Sequence, residues 1–169
     1  MTLTLAQRTT LKAYIVSQPD LQTNGDIVAL TSLLNVTAAP EFWVWRSAVT
    51  REDVYTLQND LVIGGAQTGF WSWTTYKNQA ATEQNAWTQM FMGDVANFGR
   101  TNVRDGVASI FTGSAAANAQ RDHILSIGRR KASRVERVFT TGTGSAASPG
   151  VLGPEGPIEV ADVIAVMNT

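Results

Sequence analysis

The chain has no cysteine and a single histidine, His123, in 169 residues. The first absence removes disulfides, thiolate nucleophiles and cysteine-ligated metal sites together. The second removes any histidine metal cluster, and a Ser-His-Asp triad would have to use His123, which falls inside a helical pattern beside Asp122. Charge is also sparse: Asp, Glu, Lys and Arg make up 16% of the chain and the formal net charge is -1. No apolar run approaches the roughly 20 residues needed to cross a bilayer. The opening MTLTLAQRTTLKAY turns polar too soon for a signal peptide, so a soluble protein of a cytoplasm-like setting is expected, with no membrane contact. Asp20, Asp26, Asp60, Asp94 and Asp105 are scattered without calcium-loop spacing. The adjacent Glu52 and Asp53 would point about 100° apart on a helix, which is not a converging carboxylate pair. Thr140 to Ser145, TTGTGS, lacks the lysine of a phosphate loop and follows a helical pattern rather than a strand. No enzyme and no cofactor is expected.

What is present is an apolar fraction of 44%, enough for a folded domain with its own core. Its period is mostly helical. Thr4 caps a first helix with Leu11, Tyr14 and Ile15 on one stripe, closed by Pro19; Asn24 or Asp26 begins a second with Ile27, Leu30 and Leu34, ending at Ala38, Ala39 and Pro40. Thr50 and Asp53 form a capping pair for a short helix bearing Val54, Leu57 and Leu61, followed by a soft stretch at Gly64, Gly65 and Gly69. Ser72 starts a helix with Trp73, Tyr76, Ala80, Trp87 and Phe91 on its stripe. Asn102 and Asp105 cap a shorter one with Val103, Val107 and Ile110 inward, ended by Gly113.

The longest periodic run starts at Ser114 and reaches Phe139 or Thr140. Ile124, Leu125, Ile127, Gly128, Ala132, Val135, Val138 and Phe139 step by threes and fours, and Arg130, Arg134 and Arg137 share the other face. A helix of about 25 residues would span roughly 37 Å. Six of the thirteen Lys and Arg residues lie between Arg121 and Arg137, so positive charge is concentrated there. A basic face built from Arg129, Arg130, Lys131, Arg134 and Arg137 reads as a solvated surface, a protein or intersubunit contact, or a phosphate-binding surface for nucleic acid. From Thr141 the composition shifts to Gly, Ser, Thr, Ala and Pro, the composition of a linker. Beyond Pro157 a short helix carries Ile158, Val160, Val163, Ile164 and Met167, an apolar stripe that needs a surface to dock on, in its own domain or a neighbouring subunit. The expected architecture is mainly α: a small helical bundle around one long amphipathic helix, with a body at 1–140 and, at 141–169, an extended C-terminal arm of flexible linker and short terminal helix.

Phe42, Trp43, Val44, Trp45 and Phe70, Trp71, Ser72, Trp73 are two copies of F-W-x-W, holding four of the five tryptophans. Phe42, Trp43, Trp45, Phe70, Trp71 and Trp73 read as aromatic corners of one core or as anchors between subunits.

Several stretches together carry a resemblance. They are Leu11 to Ile15 (LKAYI), Ala39 to Arg46 (APEFWVWR), Asn102 to Gly106 (NVRDG), Arg129 to Arg137 (RRKASRVER), Thr141 to Ser145 (TGTGS) and Glu155 to Ile158 (EGPI). The chain resembles, over nearly its whole length, a family of small virion structural proteins of long-tailed bacteriophages. The most plausible role this implies is a head-tail connector (adaptor) protein: a helical subunit of a ring, commonly twelve-fold, below the portal, joining capsid to tail around the DNA exit channel. The resemblance implies a virion location in the neck, assembly in the host cytoplasm, and as partners its own copies, the portal protein, and tail-terminator or other neck proteins. It also admits non-specific contact with packaged double-stranded DNA. A tail terminator or other neck protein, and a helical nucleic-acid-binding module, are the alternatives.

Overall fold

The computed structural model describes residues 1–55, 62–63, 66–67 and 71–169. The helices are α1 (Leu5–Ser17), α2 (Ile27–Asn35), α3 (Arg51–Tyr55), α4 (Trp73–Lys77), α5 (Ala81–Met90), α6 (Thr101–Ile110), α7 (Ala115–Ile127), α8 (Arg134–Val138) and α9 (Val160–Met167). Short strands lie between them: β1 (Trp43–Trp45), β2 (Val49–Thr50), β3 (Val62–Ile63), β4 (Ala66–Gln67), β5 (Val95–Ala96) and β6 (Arg129–Lys131). β2 pairs with β5, and β3 with β4, both antiparallel. The protein is mainly α, but not a bundle around one long helix. It divides into two compact units, Met1–Val44 with Lys131–Thr169 (unit 1) and Trp45–Arg130 (unit 2).

Unit 1 is built on α1, α2 and α9. Thr4 and Gln7 form the reciprocal capping box of α1, and the Asp26 carboxylate accepts from the Ala29 N–H to cap α2. Both helices thus start where local side-chain acceptors can satisfy free N–H groups. Leu11, Ile15, Leu30 and Leu34 turn inward, and Ile158, Val163 and Val166 join them with Val135 in one buried cluster. The C-terminal residues are therefore part of the core of unit 1. The extended arm expected at 141–169 is replaced by a docked segment, because α9 packs directly on α1 and α2.

Unit 2 centres on aromatics. Trp71, Trp87, Phe91, Phe98 and Phe111 are buried with Val107, Ile110, Ile124 and Ile127. Trp71 stacks on Trp87 at 5.0 Å between ring centroids, with Phe111 edge-on to both. Thr50 and Asp53 cap α3 reciprocally, as their spacing predicts. Leu57, Leu61, Gly64, Gly65, Gly69 and Phe70 lie outside the described residues. The single helix expected from Ser72 to Phe91 is two: Ser72 caps α4, the chain turns at Asn78 to Ala80, and Glu83 accepts from the Ala80 N–H to open α5. Helix α6 starts at Thr101 with Arg100 at its N-cap and no side-chain cap bond, two residues before the expected cap Asn102.

The long helix of the sequence pattern is broken into three pieces. Ser114 caps α7 as expected, but α7 ends at Gly128, which lies against the Phe98 ring: a Cβ added there would come within 2.2 Å of it. Arg129–Lys131 is then extended. Ser133 and Glu136 form a second capping box that begins α8. Close packing from thirty residues upstream and a local cap downstream together overrule a helical period that continues through both.

Candidate functional site

Because the segment 129–137 is not one helix, its cations do not share one helical face. Lys131, Arg134 and Arg137 belong to unit 1, where each has a defined neighbour. Lys131 is ion-paired with Glu41 and lies 5.8 Å from the Trp43 ring centroid. Arg134 holds Asp20 through two bonds of 2.6 and 3.2 Å. The hydrogen bond from Arg134 keeps the Asp20 carboxyl below its ordinary range, and the same bond raises the guanidinium above its own. Arg137 donates to the Ala39 carbonyl at 3.4 Å and lies 5.6 Å from the Phe42 ring centroid, within cation–π range. Arg129 and Arg130, in unit 2, are half-buried on β6. Much of the local positive charge of the sequence is thus directed at the protein itself.

The backbone of this region is fixed by pairs that the sequence pattern does not announce. Ala132 is buried; its N–H donates to the Phe42 carbonyl, its carbonyl accepts from Ala38, and Arg134 N–H donates to Val36. Glu136 is only 2% exposed. Its Oε2 accepts from the Ser133 N–H at 2.9 Å and its Oε1 from the Gly156 N–H at 2.9 Å. One carboxylate therefore opens α8 and tethers the chain leading to α9.

The Gly/Ser-rich stretch after Thr140 is folded onto the first aromatic copy. Thr141 and Val151 form a two-way antiparallel bridge, Trp43 N–H donates to the Gly144 carbonyl at 2.7 Å, and Gly150 N–H donates to the Trp43 carbonyl at 2.8 Å. Gly144 has φ +67°, and a Cβ there would come within 2.2 Å of the Phe42 ring. Glycine is required on both counts. The stretch expected to be a flexible linker is thereby a closed loop against Phe42.

The C-terminal stripe splits in two. Ile158 and Val163 are buried and Met167 packs against the same cluster, while Val160 and Ile164, one turn apart, are 39% and 46% exposed. Asn35, at the end of α2, holds the entry to α9: its Nδ2 donates to the Ile158 carbonyl and its Oδ1 accepts from the Ile158 N–H, both at 2.9 Å. Lys12 Nζ donates to the Met167 carbonyl at 3.0 Å and so caps the far end.

The two F-W-x-W copies are not equivalent. Phe42 and Trp43 are half-buried in unit 1. Trp45, in unit 2, lies 4.8 Å from the Arg104 guanidinium and packs at the edge of the aromatic core. Trp71 is inside that core, whereas Trp73 is 57% exposed with only its flank against Tyr55, Trp71 and Tyr76. Core and surface positions therefore alternate within one motif.

Elsewhere in unit 2, Asp53 is desolvated but receives the Thr50 N–H and hydroxyl and the Arg46 guanidinium, with a net lowering of its pKa. A cavity of about 490 Å³ is lined by Thr50, Arg51, Glu52, Tyr55 and Asp94. His123 is buried, and burial pushes its pKa down. Among the described residues no three His, Asp or Glu side chains converge as metal ligands would, and no helix is long and apolar enough to cross a membrane. Sequence reasoning missed Asp20, Asn35, Glu41 and Glu136; the S-x-x-E spacing of Ser133 and Glu136 was the one local signal for them. Comparison with protein-family models, with curated proteins and with solved structures finds no match.

Proposed function

We propose that the protein is a structural virion component, a head-tail connector adaptor whose copies form a ring below the portal, twelve-fold as is common in such rings, around the DNA exit channel. In this reading it is assembled in the host cytoplasm, resides in the neck, and meets its own copies, the portal, and tail-terminator or other neck proteins. It performs no catalysis and uses no cofactor. The resemblance in sequence motivates the role, and the two-sided use of α9 supports it best. One side of that helix is fixed in unit 1, and the other presents Val160 and Ile164 outward on a support held at both ends by Asn35 and Lys12. A head-to-tail ring needs an outward patch on a well-held element. Of the ten large hydrophobic side chains exposed among the described residues, seven (Leu5, Val16, Val28, Val36, Val151, Val160, Ile164) belong to unit 1, which supports an assembly surface on that unit.

The pairing of Lys131 with Glu41 and of Arg134 with Asp20 weighs against a free-standing nucleic-acid-binding module. Contact with packaged DNA is secondary in this reading.

The test is electron microscopy and co-purification of the protein with the portal, for the wild type and for a Val160→Asp, Ile164→Asp variant. Asp at position 160 falls in the first turn of α9, where the helix dipole favours it, but Asp at position 164 falls in the last turn, where it does not, so far-ultraviolet circular dichroism of the variant is the control for a retained helix. Rings bound to portal that the variant fails to form support the proposal. Binding to the tail tube instead of the portal would identify a terminator, and DNA binding by the monomer with a steep salt slope would identify a nucleic-acid module.

A further inference from the structure

His123 has no part in the function proposed above. It lies on α7 with Ala117, Gln120, Ile124 and Ile127, the other buried residues of that helix, on the side of the aromatic core of unit 2. Only 1% of it is exposed, and neither ring nitrogen has a hydrogen-bond partner among the described residues. Gln120, one turn earlier, has its Oε1 engaged by the Ser72 N–H at 2.7 Å, and its Nε2 is buried without a partner, as is Trp71 Nε1. The unpaired groups around this part of α7 are therefore donors. A neutral imidazole adds no charge among them, whereas an imidazolium adds a buried charge and a further unpaired donor.

Among the described residues the helices packed most extensively against α7 are α3, α4 and α6. Their titratable and charged groups are Arg51, Glu52, Asp53 and Tyr55 on α3, Tyr76 and Lys77 on α4, and Arg104 and Asp105 on α6. Asp53 is taken by Arg46 and Thr50, Arg51 donates to the Phe91 carbonyl, Arg104 donates to the Phe98 carbonyl, and Asp122 on α7 itself pairs with Arg121. Among the described residues no carboxylate is hydrogen-bonded to the imidazole to compensate its charge.

We propose that His123 makes unit 2 acid-sensitive: protonation of the imidazole drives α7 out of the aromatic core and opens the unit. Burial places the folded-state pKa below the ordinary 6.5. Above that pH the group is neutral in both states and has no effect. Below it the unfolded chain takes up a proton that the folded chain refuses, so the folded-to-unfolded ratio drops about tenfold per pH unit until the folded value is reached.

Two measurements on the full chain test this. His123 is the single histidine, so its C2–H proton resonance is unambiguous; in the folded protein it shows no midpoint near 6.5 between pH 8 and 5. In urea unfolding, followed by fluorescence because four of the five tryptophans lie in Trp45–Arg130, the folded-to-unfolded ratio falls between pH 7.5 and 5.0. That fall is up to roughly 30-fold steeper in the wild type than in His123→Gln. A ring resonance titrating near 6.5, or the same pH dependence in both proteins, overturns the proposal. If His123→Gln does not fold, the wild-type resonance decides alone.

Discussion

Glu136 offers the sharpest test of how unit 1 is held together. Glu136→Ala removes an acceptor that binds the Ser133 N–H and the Gly156 N–H, each at 2.9 Å, and the Ser133 hydroxyl at 3.2 Å. A hydrogen bond to a charged group contributes about 1.5–3 kcal/mol, so the two backbone bonds amount to roughly 3–6 kcal/mol. Ser133 is half-buried and its N–H recovers some hydration from water. The expected loss is therefore about 3–5 kcal/mol. Glu136→Gln preserves the shape but sets an NH₂ group against one of two N–H donors, which costs about 1.5–3 kcal/mol. Ser133→Ala removes the cap while leaving Gly156 tethered, and costs about 1 kcal/mol. Urea denaturation followed by far-ultraviolet circular dichroism gives all three values. The expected order, from most to least destabilised, is Glu136→Ala, then Glu136→Gln, then Ser133→Ala. A Glu136→Gln protein within about 0.5 kcal/mol of wild type would refute the reasoning, since the carboxylate would then not hold both backbone N–H groups at once.

Three further outcomes follow from the same contacts. Gly144→Ala meets both a left-handed backbone and the Phe42 ring; about 2–4 kcal/mol of destabilisation is expected in urea melts, and a neutral result would mean the loop at 141–151 does not rest on that ring. Asn35→Asp cannot donate to the Ile158 carbonyl, so limited proteolysis should cut at 152–159 at least about tenfold faster than in wild type while α1 and α2 stay protected. Asp20, whose pKa is held down by Arg134, contributes stability that is present at neutral pH and lost as pH falls through the lowered value. The Asp20 carboxyl resonance should accordingly titrate below that of the same group in Arg134→Gln, and coincident curves would show the pair to be absent in solution.

Where the sequence was informative, the signals were local. Thr4 with Gln7, Asp26 before Ile27, Thr50 with Asp53 and Ser114 each satisfy a helix start with side chains three residues away, and the stripes of α1 and α2 follow directly. What could not be read was non-local. The period through Ile124, Ile127, Ala132 and Val135 is helical, and all four residues are indeed buried, but they serve two units rather than one helix. Nothing in that run reports that Phe98 occupies the space beside Gly128. Similarly, the stretch from Gly142 to Ser145 has a linker's composition, and what closes it into a loop includes Phe42 and Trp43, about a hundred residues upstream. The basic residues were legible as a cluster, but their acidic partners, Asp20 and Glu41, lie about ninety residues or more away in sequence.

Unit 2 is an uninterrupted stretch of chain, Trp45–Arg130, inserted between the two halves of unit 1. During synthesis at about 5–20 residues per second, unit 2 is complete while α8 and α9 have yet to leave the ribosome. The apolar faces of α1 and α2 therefore wait, uncovered, for Val135, Ile158, Val163 and Val166 to follow unit 2. The outward patch of α9 is formed in the same step. The surface carrying Val160 and Ile164 therefore cannot exist on a nascent chain until α1, α2 and the whole of unit 2 have been made and α9 has followed them out of the ribosome.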